Sequence, residues 1–332
     1  MELEELGQRL VPFCRDKLND PAATIASLEL APGHAGFAYL FDVTTHGERR
    51  GFFLRLPPPN VKLEGTADVM RQVTVLNALD EETVPHCEVL WSGDDPQHFG
   101  RPYFVVPKVE GWALKDGWWR RFTPAQCHAA AQEATSALAE IHKTNVARVR
   151  SLGEFWGFES DVTRWDRFYD RAEDQHLLAL QPRVRELLLS NIPGDTPMGL
   201  YHGDFQWTNL LYSIDCHLLA VIDWELTGIG AVLSDLGWFS LFNEPRAWNH
   251  DLATPEGYTP EAAEIEAMYF EAYGVNSGEL PWFKALAAYK FSIITGFNLM
   301  LHRRGKRIDP DWERYAPSMR TNMEFAMEML GG

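Results

Sequence analysis

Residues 200–225 read LYHGDFQWTNLLYSIDCHLLAVIDWE. The stretch holds a His-x-Asp pair, His202 and Asp204, then Asn209, and then Asp223 at the end of an apolar run. The runs Leu210–Tyr212 and 218–222 are strand-like, and residues 213–217 turn the chain between them. Such a hairpin brings Asp204, Asn209 and Asp223 together at its ends. Hard oxygen donors that converge in this way suit Mg²⁺, which takes a few protein oxygens and completes its shell with substrate phosphates. A carboxylate the metal does not need can take the proton of a hydroxyl nucleophile. Together these are the parts of a phosphoryl-transfer site. The plainer alternative is a buried His and two surface Asp on an ordinary hairpin.

The segment HGDFQWTN resembles the His-Gly-Asp-x-x-x-x-Asn catalytic loop of the aminoglycoside phosphotransferase and choline kinase-like family. IDWE is similar to that family's counterpart of the protein-kinase Asp-Phe-Gly, and the order Asp, Asn, Asp is the kinase order. The resemblance covers most of the chain and implies an α+β, bilobal protein kinase-like fold. Its small β-rich N-lobe, 1–107, would carry a nucleotide-binding sheet and one helix. Its large, mostly helical C-lobe, 108–332, would carry the catalytic loop and the substrate-binding helices. Asp204 is then the expected catalytic base, with Asn209 and Asp223 on Mg²⁺ and ATP or GTP as phosphate donor.

Upstream, residues 3–18 have helical spacing and stop at Asn19-Asp20-Pro21. Gly33 and Gly36 lie in a turn between strand-like runs, where glycine lets backbone N–H groups approach a phosphate. An ordinary hairpin turn has the same composition, and it is the family resemblance that suggests a phosphate-covering loop. GFFLRL, 51–56, reads as a strand ending at Pro57-Pro58-Pro59. The resemblance places Arg55 where kinases carry the phosphate-gripping Lys, and Arg can grip phosphate oxygens bidentately. It places Gln72, on a helix over 68–79, where kinases carry the Glu that holds that Lys, with Asp68 and Glu64 as substitutes. The Leu-Arg followed by prolines is most similar to kinase-like domains fused to acyl-CoA dehydrogenases. Strands are expected over 88–91 and 103–109. The second resembles the strand that enters the purine-binding hinge, where Pro107 would offer its C=O and Val109 its N–H. Proline lacks only the donor, so it fits a position that needs none.

With 45% hydrophobic and 23% charged residues, the 332-residue chain is globular. A net charge of −17 argues against nucleic acid and anionic membrane as partners. No apolar run reaches the ~20 residues of a membrane helix, and MELEELGQRL lacks the order of a signal peptide. The four cysteines are scattered and read as free thiols in a reducing, cytoplasmic setting.

Downstream, Thr123-Pro124-Ala125-Gln126 is a capping box opening a helix that runs to about His142, itself read as a dipole partner or core histidine. Asp235 takes a structural role by resemblance, binding the backbone of the catalytic loop. Helices are expected over 259–273, 280–301 and 310–330. Trp156, Trp165, Phe168 and Tyr169 form an aromatic stripe that is core or a substrate wall. Eight acids between 244 and 279, against Arg246 alone, are solvated helix faces or a receiver for a cationic acceptor. Trp238, Trp248, Trp282 and Trp312 suit an apolar or mixed hydroxyl compound, or they are simply core. The reading is a kinase of a small-molecule hydroxyl. Its rivals are a nucleotide-binding pseudokinase with a regulatory or scaffold role, suggested by Arg55 and Gln72, and a hydrolase with Zn²⁺ or Mn²⁺ near His202, Asp204 and Asp223.

Overall fold

Helix α1 (Leu3–Lys17) buries Leu6, Leu10, Phe13 and Cys14, a stripe at helical spacing, against one face of an antiparallel sheet. The sheet comprises β1 (Thr24–Leu30), β2 (Ala38–Thr45), β3 (Glu48–Arg55), β4 (Trp91–Gly93) and β5 (Tyr103–Pro107), in the order β1-β2-β3-β5-β4. Period-two alternation decides what each side packs on. In β5, Tyr103 and Val105 join the core under α1, while Phe104 and Val106 join the core that continues into the rest of the chain. Helix α2 (Val69–Leu79), capped by Asp68 through Met70 N–H, lies on that second side with Val69, Val73, Leu76 and Leu79 buried. The computed structural model describes residues 2–31, 37–114, 120–153, 157–252 and 260–332, so Gly33, Gly36 and Trp156 lie outside the described residues.

Past β5 the chain forms β6 (Trp112–Ala113), then α3 (Pro124–Lys143), opened by the expected capping box on Thr123 and Gln126. Short helices α4 (Phe158–Thr163) and α5 (Asp166–Tyr169) lead to α6 (Gln181–Ser190). Strand β7 (Met198–Tyr201) pairs antiparallel with β10 (Gly228–Ala231). Between them in sequence, β8 (Leu210–Tyr212) and β9 (Leu218–Val221) form the expected hairpin, with β6 added at the edge. Helices α7 (Leu233–Phe242), α8 (Ala262–Tyr273), α9 (Leu280–Arg303), α10 (Asp311–Tyr315) and α11 (Ser318–Met329) complete the molecule. The result is the α+β architecture expected, a sheet-built small lobe and a mostly helical large one.

Three boundaries differ from expectation, the first being the strand expected over 103–109, which ends at Pro107. The strand expected over 88–91 forms only from Trp91, with Leu90 N–H donating to the Val105 carbonyl (2.9 Å) just before it, because the preceding chain turns toward β9, where the Pro85 carbonyl accepts from Val221 N–H (2.8 Å). The helix expected over 310–330 is two helices. Pro317 supplies no N–H, so the hydrogen-bond ladder breaks there although Ala316 and Pro317 keep helical backbone angles, and the chain restarts at Ser318. At the centre, Gly237 lets α7 lie directly on α9: a Cβ there would stand 2.7 Å from the Phe283 carbonyl oxygen.

Candidate active site

The loop between β7 and β8 and the loop between β9 and β10 run side by side, and every residue of the opening motif lies on one or the other. Asp235, in the first turn of α7, anchors the first loop. Its Oδ2 accepts the His202 N–H (2.6 Å) and its Oδ1 accepts the Gly203 N–H (2.8 Å), with His142 Nε2 3.2 Å away. Burial would raise this carboxyl, but His142 and His202 hold it below the usual range. The structural role expected of Asp235 is therefore seen directly, and His142 is a buried partner that also meets the Tyr269 hydroxyl (2.7 Å). Gly203 sits at φ +91°, and a Cβ there would stand 2.3 Å from the Leu226 carbonyl oxygen, so glycine alone allows the two loops to touch.

The His202 ring is spent inside this frame. Nε2 donates to the Ile222 carbonyl (2.9 Å) and Nδ1 accepts the Asp204 N–H (3.2 Å), while burial keeps the imidazole neutral. With both nitrogens used, His202 is no metal ligand, which removes the basis of the hydrolase reading. It fixes the backbone of Asp204 instead.

The Asp204 carboxylate is held by three side-chain donors. Oδ1 accepts from Trp238 Nε1 (2.8 Å) and Gln206 Nε2 (2.8 Å), and Oδ2 from Asn209 Nδ2 (3.0 Å). Burial nevertheless pushes its pKa up to about 7, with the charge of Asp223 adding to the rise and the donors opposing it. Asn209 donates a second time to the Asp204 carbonyl (2.8 Å), so its amide nitrogen is committed and its Oδ1 is the atom left for a cation. Asp223 holds a left-handed backbone, φ +65°, which a non-glycine residue adopts at some cost. Its charge raises both Asp204 and Glu225, so three carboxyls act on one another here. No three His, Cys, Asp or Glu side chains among the described residues gather into a cage. Such a donor set fits Mg²⁺ held jointly by the protein and by phosphate oxygens.

Across the cleft, Arg55 at the end of β3 forms an ion pair with Glu225, not with Gln72. Gln72 is buried on α2 and its Nε2 has no partner among the described residues, so the expected Arg–Gln pairing is replaced. The reason is topological: the Trp224–Leu226 turn packs against α2, which brings Glu225 to the strand end. Neighbouring Arg71 instead donates to the Leu152 (2.6 Å) and Thr227 (3.1 Å) carbonyls. Pro107 ends β5 opposite Phe52, and Val109 accepts from Gly111 N–H (3.1 Å), a tight turn at the exit from the sheet.

Of four further residues at this site, Gln206, Glu225 and Lys290 were not singled out by the sequence reading, and Trp238 was named only as pocket wall or core. Gln206 and Glu225 lie within the quoted stretch, but nothing local marks their partners. Trp238 falls one turn after Asp235 on α7, which puts it on the same helix face, a signal that was available. Lys290 of α9 is the fourth: its ammonium lies over the Trp165 ring (5.7 Å) and the Trp238 ring (5.6 Å).

A family model described as "Phosphotransferase enzyme family" matches residues 30–285. Acyl-CoA dehydrogenase family member 11 of Homo sapiens is 29% identical over 252 residues, covering 73% of this chain and 32% of that protein. The chain thus spans about a third of that relative's length. Among solved structures, a Ralstonia eutropha JMP134 protein provisionally described as an aminoglycoside phosphotransferase superposes with a TM-score of 0.77 at 20% identity, covering 97% of this chain and 98% of that one. A thermostable mutant of aminoglycoside phosphotransferase APH(4)-Ia, in ternary complex with ADP and hygromycin B, gives 0.63 at 14% identity, covering 97% and 99%. The two structural likenesses are of fold.

Proposed function

Because the chain belongs to the phosphotransferase enzyme family, we propose that it transfers the γ-phosphoryl group of ATP or GTP to a hydroxyl of a small molecule. The nucleotide would lie between segments 1–107 and 108–332, with the backbone at Pro107 and Val109 on the purine and Arg55 on the phosphates. Gly33 and Gly36 would cover those phosphates. Asn209 Oδ1 and Asp223 would hold Mg²⁺, which, when bound, offsets charge on the β- and γ-phosphates. The bound ADP of the APH(4)-Ia complex supports a nucleotide, and its hygromycin B supports a small-molecule acceptor.

The observation that carries the reading is Asp204. Three donors fix its carboxylate, and burial with a like-charged neighbour makes it far more basic than an ordinary aspartate. A group so placed orients an acceptor hydroxyl and accepts its proton as the O–P bond forms. In the loose transition states of phosphoryl transfer, that orientation matters at least as much as basicity.

The test is a thermal-shift screen of ATP and GTP with and without Mg²⁺, followed by coupled ADP or GDP detection across a panel of hydroxyl compounds. Stabilisation by a Mg²⁺–nucleotide with acceptor-dependent turnover is expected. Stabilisation with neither turnover nor slow nucleotide hydrolysis would support the pseudokinase reading, which the engagement of Arg55 by Glu225 favours. Indifference to nucleotide would sink both.

A further inference from the structure

Lys290 of α9 forms no ion pair among the described residues, although the charges of Asp161, Asp235 and Asp204 all reach it. Its ammonium sits between two indole faces, Trp165 on one side and Trp238 on the other. The same Trp238 indole donates its N–H to Asp204 Oδ1, so a single ring separates the lysine from the proposed base. Trp165 adds a second, independent observation: its Nε1 is buried and has no acceptor among the described residues. The acids that flank Trp165 are paired elsewhere, Asp161 with Arg164 (2.6 Å) and Asp166 with Arg185 (2.8 Å). With the Trp238 N–H already given to Asp204, this wall holds one ammonium and one indole N–H, that of Trp165, without a partner among the described residues.

Packing alone does not require this. A leucine or methionine would fill the gap between two indoles without taking an ammonium out of water, which is costly unless a counter-charge meets it. Burial lowers the tendency of Lys290 to stay protonated while the charges of Asp161, Asp235 and Asp204 oppose it, so an anion brought beside it would favour the ammonium. Four of the eight acids that a polycation could use are meanwhile engaged within the protein. Glu244 pairs with Arg246 (2.9 Å), Glu266 with Lys284 (2.7 Å), and Glu264 with His128 (2.8 Å), while Glu279 accepts the Gly194 and Asp195 N–H groups (3.0 and 3.1 Å).

We propose that Lys290, clamped between Trp165 and Trp238, is the acceptor-reading residue of this site, and that the hydroxyl compound it selects carries a negatively charged group. The proposal rests on the phosphotransfer reading for the word acceptor, but not for the anion site itself. A carboxylate or a phosphate ester presents the same chemistry to an ammonium and an indole N–H. Lysine, a point charge on a flexible stem, admits either.

The experiment compares acceptors of matched length: 3-hydroxybutyrate, 3-hydroxybutyramide, 3-aminobutan-1-ol and 2-hydroxyethyl phosphate. Each is titrated calorimetrically into the full chain loaded with Mg²⁺ and a non-hydrolysable ATP analogue, and each is assayed for turnover with ATP. Wild type is expected to prefer an anion over the amide by roughly tenfold to a hundredfold, the range for one charge-assisted hydrogen bond. The amine is expected to rank last, and whichever of carboxylate and phosphate ranks first names the source of the charge. In Lys290→Met that ratio should collapse toward one, and in Lys290→Arg it should largely return. Equal or better handling of the amide or amine by wild type overturns the proposal, and this comparison needs no variant to fold. Turnover without charge discrimination overturns it while leaving phosphotransfer intact. Lys290-dependent anion binding without turnover of any acceptor supports the anion site and overturns phosphotransfer instead.

Discussion

Arg55, at the end of the third strand, is ion-paired with Glu225, two residues beyond Asp223 on the opposite side of the cleft. The pair joins the cation expected to grip phosphates to the segment expected to hold the metal. It is not a comfortable pair: burial and then the charge of Asp223 raise the Glu225 carboxyl, and Arg55 offsets them only in part. A triphosphate offers the guanidinium a more highly charged partner. Arg55→Met is therefore expected to weaken Mg²⁺–nucleotide binding by roughly 10- to 100-fold, the worth of one charge-assisted contact. Arg55→Lys should recover only part of this, since a point charge cannot form a bidentate contact. Calorimetric titration of both variants decides it, and wild-type affinity in Arg55→Met would remove Arg55 from the nucleotide site.

Asp204→Ala should lower turnover by about 10²- to 10⁴-fold, the usual contribution of a positioned general base, with nucleotide affinity changed little. Steady-state rates and a nucleotide titration on the same preparation separate the two effects. A turnover within a few-fold of wild type would show that Asp204 is not the base.

The same residue predicts a pH dependence of stability in the metal-free protein. Its pKa in the fold is about 7, raised by burial from an ordinary 3.8. The folded state thus binds this proton more tightly than the unfolded chain. Its contribution to stability is greatest below the ordinary value, declines as pH rises toward 7, and is level above that. Asp204→Asn cannot titrate, so its melting temperature relative to wild type should rise between about pH 4 and pH 7 and then stay constant. A pH-independent difference would contradict the raised pKa.

Asp235→Ala strands two backbone N–H groups, those of His202 and Gly203, at the foot of the catalytic loop. A buried donor left without an acceptor costs about 1–3 kcal/mol, so a loss of several kcal/mol is expected in denaturant unfolding. Because the Asp235 carboxyl is held below its usual range, its stabilisation is present above the ordinary value and is lost as pH falls through the folded one. Acid should therefore narrow the gap between wild type and variant.

Gly203→Ala places a methyl carbon against the Leu226 carbonyl at a backbone angle that side chains rarely adopt. On the order of 3 kcal/mol or more of strain is expected, with turnover falling further than nucleotide affinity because the base itself is displaced. Unaltered stability in thermal unfolding would show that the loops can part cheaply.

What could be read from sequence is what the chain keeps close together. Asp204, Asn209 and Asp223 sit on one hairpin, so residue type, order and strand pattern locate them without knowledge of the rest of the fold. Asp235 and the capping box on Thr123 were equally local. The pairing of Arg55 with Glu225 spans 170 positions and depends on how a turn packs under α2, which no periodicity encodes. Lys290 is one polar residue in a helix that is otherwise largely buried, and only the crossing of α9 with α5 and α7 brings it to the indoles. The split at Pro317 was legible in principle: the apolar period continues through it and masked a stop that proline enforces.

Helix α2 follows the small sheet in the chain, yet its apolar face belongs to the core of the large lobe. It is fastened there through Arg71 to the Leu152 and Thr227 carbonyls, and just beyond it through the Pro85 carbonyl to β9. The line of easiest parting therefore runs through the small lobe and not around it. In native-state hydrogen exchange, α1 and β1 to β3 should open as one cooperative unit. The amides of α2 should exchange with those of the catalytic hairpin, as though the helix had been lent by one half of the molecule and kept by the other.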